Sequence, residues 1–117
     1  MPSHRIDRLN EDMKRELSAL LRELKDPRID STWLSVMRTE ITSDLSYAKV
    51  YIGSIKGGDD ARQACKLLQK QIAGHLRTEI SKRLRMRKAP ELRFIADDSS
   101  EYYEKISGII DHLKDKL

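Results

Sequence analysis

The chain has 117 residues, of which 38% are hydrophobic, and its 23 lysines and arginines outnumber 19 aspartates and glutamates to give a net charge of +4. This length predicts one domain, residues 1–117, and no apolar run is long enough to span a membrane. The single cysteine, Cys65, excludes an internal disulfide and a four-thiolate metal site. Because no secretion signal follows Met1, we expect a cytoplasmic protein.

A long amphipathic helix is the first predicted element. Apolar residues at three- and four-residue steps predict it over residues 4–24, and Pro27 follows its end. The pattern then changes to period two over residues 33–41 and again over residues 46–55. Since the segment between these runs, residues 42–45, is short and polar, the two strands are predicted to form an antiparallel hairpin.

Two further helices are predicted after the hairpin. Asp59 or Asp60 is placed to cap the first of them, whose apolar spacing extends to Ile72. Gly74 then interrupts a stripe that continues to Leu84. A glycine inside a helix costs about 1 kcal/mol relative to alanine, so a kink or a helix–helix junction is expected there.

The last predicted elements are a short third strand and a final helix. Residues 91–95 follow Pro90 and have the strand pattern. Asp97 and Asp98 are then placed to cap a helix whose apolar stripe continues to Leu117. We interpret this carboxylate pair as a helix cap and not as a magnesium site.

The order helix, strand, strand, helix, helix, strand predicts an α+β fold, a type II KH-like domain (α-β-β-α-α-β) with an added C-terminal helix. KH modules hold RNA with a GxxG loop between their paired helices. In this chain Gly74 is the only glycine at that position. We therefore expect a kinked helix–helix junction in place of the GxxG loop.

Basic residues are concentrated in residues 77–88, where six cations stand against one acid, Glu79. Such a window is typical of proteins that bind a polyanion, because neutralised phosphates release their counterions. The alternative is a solvated helix end, where cations favour the helix dipole. The window predicts RNA contacts at Arg77, Lys82, Arg83, Arg85, Arg87 and Lys88, and the first helix adds Arg5, Arg8 and Lys14 as candidates among alternating charges.

Several short motifs also occur in order along the chain. They are Arg5 and Arg8, Asp26-Pro27-Arg28, Ser35-Val36, residues 43–51, Leu84-Arg85, residues 90–94 and residues 97–99. In this order and spacing they resemble the ribosome-binding factor A family over almost the whole chain. The junction departs from the family pattern Ala-x-Gly, since Gly74 matches but Ile72 occupies the alanine position.

This resemblance implies a KH-like fold whose junction, with Gly74, takes part in RNA binding. It also implies a factor that binds immature small (30S) ribosomal subunits, contacts 16S rRNA, supports its processing and matters most in the cold. The expected partners are the small subunit and its rRNA. We expect no membrane partner and no cofactor, and we expect a monomer.

Aromatic residues of the second strand leave an alternative open. Tyr47, Lys49 and Tyr51 share the strand face opposite Ala48. Exposed rings could stack on unpaired bases, whereas helices covering this face would make them part of the core. We predict the covered arrangement for the tyrosines, and the sequence leaves Trp33 undecided.

Two other functions are alternatives to ribosome assembly. A general KH-like binder of single-stranded RNA or a translational regulator is the alternative, and the missing GxxG loop argues against it. A nuclease or RNA-modifying enzyme would need a convergent acid–base or metal constellation. His4, His75 and His112 lie on separate predicted helices, and no HExxH, CxxC, P-loop or GxSxG pattern occurs. We therefore predict no enzymatic activity, no catalytic residue and no metal site.

Overall fold

The computed structural model describes residues 4–97. Helix α1 spans His4–Glu23, which confirms the first predicted helix. In the turn that follows it, the Asp26 carboxylate accepts the Arg28 backbone N–H at 2.9 Å. Its apolar stripe is buried at Met13, Leu17, Leu20 and Leu21.

Three strands form one mixed sheet in the order β1-β2-β3. Strands β1 (Leu34–Ile41) and β2 (Tyr47–Ser54) form the predicted antiparallel hairpin, and β3 (Glu91–Ala96) pairs with β2 in parallel. A parallel neighbour requires a crossover, and the helical segment between β2 and β3 supplies it.

The crossover contains two α-helices with a π-helical segment between them. These are α2 (Gly58–Leu67), the π segment (Leu68–Ile72) and α3 (Ala73–Arg83). The predicted helix cap is wrong, because Gly57 precedes α2 and no side chain caps it. Asp60 instead lies in the first turn of α2 and accepts the Ser54 hydroxyl at 2.5 Å.

All three helices cover one face of the sheet. On that face Ala48, Val50 and Ile52 of β2 have no exposed surface. Cys65 of α2 is buried in the same core, and burial raises the pKa of its thiol to about 11. The observed order α-β-β-α-α-β is the one predicted from the sequence.

Among residues 4–97 no helix covers the opposite face of the sheet, and the exposure of the tyrosines shows that their predicted burial is wrong. Tyr47 is 37% exposed, Lys49 is exposed and Tyr51 is partly exposed. The helices cover the face whose side chains are small or branched, since covering the other face would bury the Lys49 charge. Trp33 is also 37% exposed, with the Lys56 ammonium 5.3 Å from its ring centroid.

Side chains of the helical layer bond to both outer strands of the sheet. The Asn10 side-chain oxygen accepts the Ile41 N–H at 2.8 Å. The Gln69 amide accepts the Phe94 N–H and donates to the Leu92 carbonyl, both at 3.0 Å. These bonds satisfy edge groups that would otherwise be open to another strand.

The appended C-terminal helix, with Asp98 of its predicted cap, lies outside the described residues. Among residues 4–97, no helix is both long and apolar enough to cross a bilayer.

Candidate nucleic-acid interface

The fold brings five of the predicted RNA-binding residues together. Arg5 and Arg8 come from the first turns of α1, and the others come from the loop after α3. Together with the hairpin turn they surround an open groove of about 730 Å³, which we call the basic groove. Its cations are Arg5, Arg8, Arg85, Arg87 and Lys88, and its apolar lining includes Ile6, Leu9, Leu45, Leu84 and Met86.

The basic groove has a strong excess of positive charge. Asp12 is the one carboxylate in its lining, and it already pairs with Arg15 at 2.8 Å. None of the five cations forms an ion pair with another residue in the part of the chain that the structure describes. Unpaired cations converging on one concave surface suit the phosphates of a nucleic acid.

Arg85 reaches the groove through a strained turn at the end of α3. The Met86 N–H donates to the Ser81 carbonyl at 2.9 Å and the Arg85 N–H to the Lys82 carbonyl at 3.3 Å. These two bonds form a Schellman motif, whose left-handed position usually carries glycine. Arg85 occupies that position with φ = 53°.

Leu45 reaches the groove through the turn of the β1–β2 hairpin. The Asp44 carboxylate holds this turn by accepting the Thr42 hydroxyl at 2.8 Å and the Ser46 hydroxyl at 2.7 Å. Bonds from Ser46 and Thr42 lower the pKa of Asp44 to about 2. Leu45 follows with φ = 63° and 36% exposure.

Arg85 and Leu45 are the two non-glycine residues with positive φ among residues 4–97, and both line the basic groove. A left-handed conformation costs a residue with a Cβ about 1–2 kcal/mol. Such strain tends to be concentrated at functional sites, where the position of a side chain matters more than its conformational cost. The strained backbone positions and the unpaired cations thus lie on the same surface.

The sequence pattern did not indicate the apolar part of this surface, namely Leu45, Leu9 and Met86. An exposed leucine inside a four-residue polar turn was the one available signal, because such turns favour small polar residues and glycine.

Arg83, although predicted to bind RNA, does not line the basic groove. Its guanidinium pairs with Glu23 at 2.9 Å and with Glu16 at 3.4 Å, both on α1. The contact with Glu23, followed by that with Glu16, raises the pKa of Arg83. The side chain therefore joins α3 to α1. Lys82 is exposed beside it, 4.0 Å from Glu79.

Arg77 has a structural bond and also lines a neighbouring cavity. Its Nε donates to the Ala89 carbonyl at 3.0 Å and so fixes the loop before β3. This second cavity, of about 590 Å³, is shared with Lys88, Leu45 and Tyr47. Arg77 thus lies next to the basic groove but not in its lining.

Gly74 does not line either cavity. It lies in the first turn of α3, and it is exposed with no atom near the position of an added Cβ. The interruption predicted at this glycine is instead the π segment before it, which ends at Ile72 with φ = −120°. π-Helical segments often accompany functional sites, so the junction keeps its place as a candidate contact.

Metal binding has no support in the described part of the chain. Between residues 4 and 97, no three His, Cys, Asp or Glu side chains are close enough together to hold an ion.

Comparison with known sequences identifies close relatives. The family model described as Ribosome-binding factor A matches residues 5–110 of this chain. A Heliobacterium modesticaldum protein named Ribosome-binding factor A is 42% identical over 115 residues, which cover 97% of this chain and 93% of that protein.

Solved structures of similar fold carry the same description. The solution NMR structure of a Thermotoga maritima protein described as a ribosome binding factor A has a TM-score of 0.73 at 30% identity, covering 86% of this chain and 92% of that one. A Thermus thermophilus ribosome binding factor A homology model, fitted into the cryo-EM map of a 30S complex, has a TM-score of 0.61 at 27% identity, covering 79% and 94%.

Proposed function

Since this chain belongs to the ribosome-binding factor A family, a family of non-enzymatic factors, we propose that it binds the small ribosomal subunit during assembly and holds 16S rRNA in the basic groove. The observation that carries this proposal is the convergence of five unpaired cations from both ends of the described chain on that groove. Phosphate contacts of this kind supply affinity and fix orientation without reading the base sequence.

The choice of partner is supported by the similar Thermus thermophilus protein, which was fitted into a map of a 30S complex. For this chain, the proposed target is the small subunit before it enters translation. A factor that holds rRNA through its phosphates can stabilise one folded arrangement while the transcript is processed. Its effect is greatest in the cold, because RNA escapes from misfolded arrangements more slowly at low temperature.

A sedimentation experiment tests the proposed function. Cell lysate is separated on a gradient, and the protein is expected with free small subunits and only weakly with translating ribosomes. Cells lacking the protein are expected to accumulate unprocessed 16S rRNA at low temperature. Equal loading on free subunits and translating ribosomes, or normal processing in the cold, would contradict an assembly role.

A further inference from the structure

Tyr47 presents an aromatic ring on the open face of the sheet. It begins β2, is 37% exposed and has the Arg93 guanidinium 4.1 Å from its ring centroid. Within residues 4–97 its hydroxyl makes no hydrogen bond. Among the described residues the hydroxyl group of Tyr47 therefore has no hydrogen-bonding role, and the exposed ring leaves apolar surface in water.

The Tyr47 ring lies in a cavity that adjoins the basic groove. Tyr47 lines the second cavity, and Leu45 and Lys88 line both that cavity and the groove. A polymer that leaves the groove past Lys88 would therefore reach Tyr47 next. Arg77 faces the same cavity, so phosphates along this path would continue to meet cations.

We propose that Tyr47, supported by Arg93, is a stacking site for an unpaired base of the RNA strand whose phosphates lie in the basic groove. This rests on the proposed function, since it extends the same RNA path onto the sheet. Every base has a flat π surface, and such surfaces stack on tyrosine rings and on guanidinium planes. A guanidinium already stacked on the ring orients it and adds a charge that attracts phosphate.

The charges around Tyr47 favour a negatively charged partner such as RNA over an apolar protein segment. Two carboxylates, Asp44 and Glu91, also line the cavity. The Asp44 oxygen facing Thr42 and Ser46 is already occupied by their hydroxyls. These hydroxyls are neutral and leave Asp44 charged, so two carboxylates, Asp44 and Glu91, stand against Arg77, Lys88 and the neighbouring Arg93, with one positive charge in excess.

Tyr51 on the same strand offers a matched control. Its ring also stacks with an arginine, the Arg38 guanidinium lying 4.0 Å from its centroid. Here, however, the Tyr51 hydroxyl donates to Glu40 at 3.3 Å and Arg38 pairs with Glu40 at 3.2 Å. Because these groups satisfy one another and lie outside both cavities, Tyr51 has a structural role on the open face.

The test uses a single-stranded uridine decamer that carries one 2-aminopurine, a base whose fluorescence falls when it stacks. Tyr47→Leu is expected to weaken binding on the order of ten-fold and to abolish the fluorescence decrease. The slope of log affinity against log salt should stay unchanged, because no phosphate contact is lost. Tyr47→Phe should bind like the wild type, and so should Tyr51→Leu, with thermal melts showing that each variant is folded.

Wild-type affinity and wild-type fluorescence in a folded Tyr47→Leu protein would overturn the stacking site. Equal weakening by Tyr51→Leu would also overturn it, because the effect would then not belong to Tyr47. Failure of the proposed function gives a different result. Replacing the groove cations would then change the affinity for neither the decamer nor the small subunit, whatever residue stands at position 47.

Discussion

At the end of α3, Arg85 stands where a helix of this ending usually has glycine. The chain tolerates its positive φ because the Schellman bonds and the Ser81 hydroxyl, which donates to the Met86 carbonyl at 2.7 Å, define the turn independently of the side chain. A long charged side chain at this position points from the turn into the basic groove. We interpret the residue as one at which conformational cost is accepted for the sake of binding.

Replacement of Arg85 should therefore separate stability from binding. Arg85→Gly is expected to raise the free energy of unfolding by about 0.5–1 kcal/mol, because relief of the left-handed strain exceeds the added freedom of the unfolded chain. The same change should weaken binding to small subunits and flatten its salt dependence by about 0.7–0.9 in slope. Thermal unfolding and binding at several salt concentrations measure the two effects.

Arg85→Gln is the control for this prediction, since it removes the charge but keeps the strain. It should lose binding to the same extent without the gain in stability. A destabilised Arg85→Gly protein, or one that binds as tightly as the wild type, would show that Arg85 serves the fold rather than the groove.

Among the elements, the junction between α2 and α3 differs most from its prediction. Gly74 pointed to the correct region, but the irregular backbone lies over Leu68–Ile72 and Gly74 itself is helical. The side chain of Gln69 gives a physical reason, because the segment places this amide against the edge of β3. Such a bond depends on a strand 23 residues away, so local sequence pattern does not reveal it.

Gly74→Ala is expected to stabilise the protein by about 0.5–1 kcal/mol, since a helical glycine with open space around it gains from a Cβ. Gly57→Ala is the matched control. The same methyl group there should destabilise the protein by about 1–3 kcal/mol, because Gly57 has φ = 113° and ψ = 177°. Melting curves of both variants measure the effects, and a loss of stability in Gly74→Ala would show that the junction needs glycine.

The elements whose pattern is local were predicted well. The spacing of apolar residues located α1, and alternation with a short polar connection located the hairpin and its antiparallel pairing. Alternation also separated the two faces of β2, but it did not show which face the helices cover. Tyr47 and Tyr51 are apolar enough for either environment, so their exposure depended on how three helices share one sheet face.

At the scale of the molecule, the groove joins parts of the chain that are distant in sequence. Arg5 and Arg8 lie about 80 residues before Arg85, and the fold brings them together because α1 and α3 pack side by side. The sequence window at residues 77–88 predicted a charge concentration. It could not show which of these cations pair within the fold and which are available for a partner. Arg83 forms ion pairs that join α3 to α1, whereas Arg87 and Lys88 remain available for a partner.

Binding of rRNA phosphates by the basic groove is the interaction on which the proposed function depends. It is tested by measuring small-subunit binding over a range of salt concentrations for two charge-matched variants, each with three cations changed to Gln. One variant removes Arg8, Arg87 and Lys88 from the groove, and the other removes Arg22, Lys25 and Lys66, which are exposed elsewhere.

The two variants carry the same net charge, so a nonspecific effect of charge would alter both equally. The free energy of unfolding of the groove variant is expected to lie within about 0.5 kcal/mol of the wild-type value, because its changes are on the surface. Its plot of log affinity against log salt should flatten by about 0.7–0.9 for each contact removed, and the control variant should keep the wild-type slope. Equal slopes for the two variants, with both proteins folded, would contradict the assignment of the groove to rRNA.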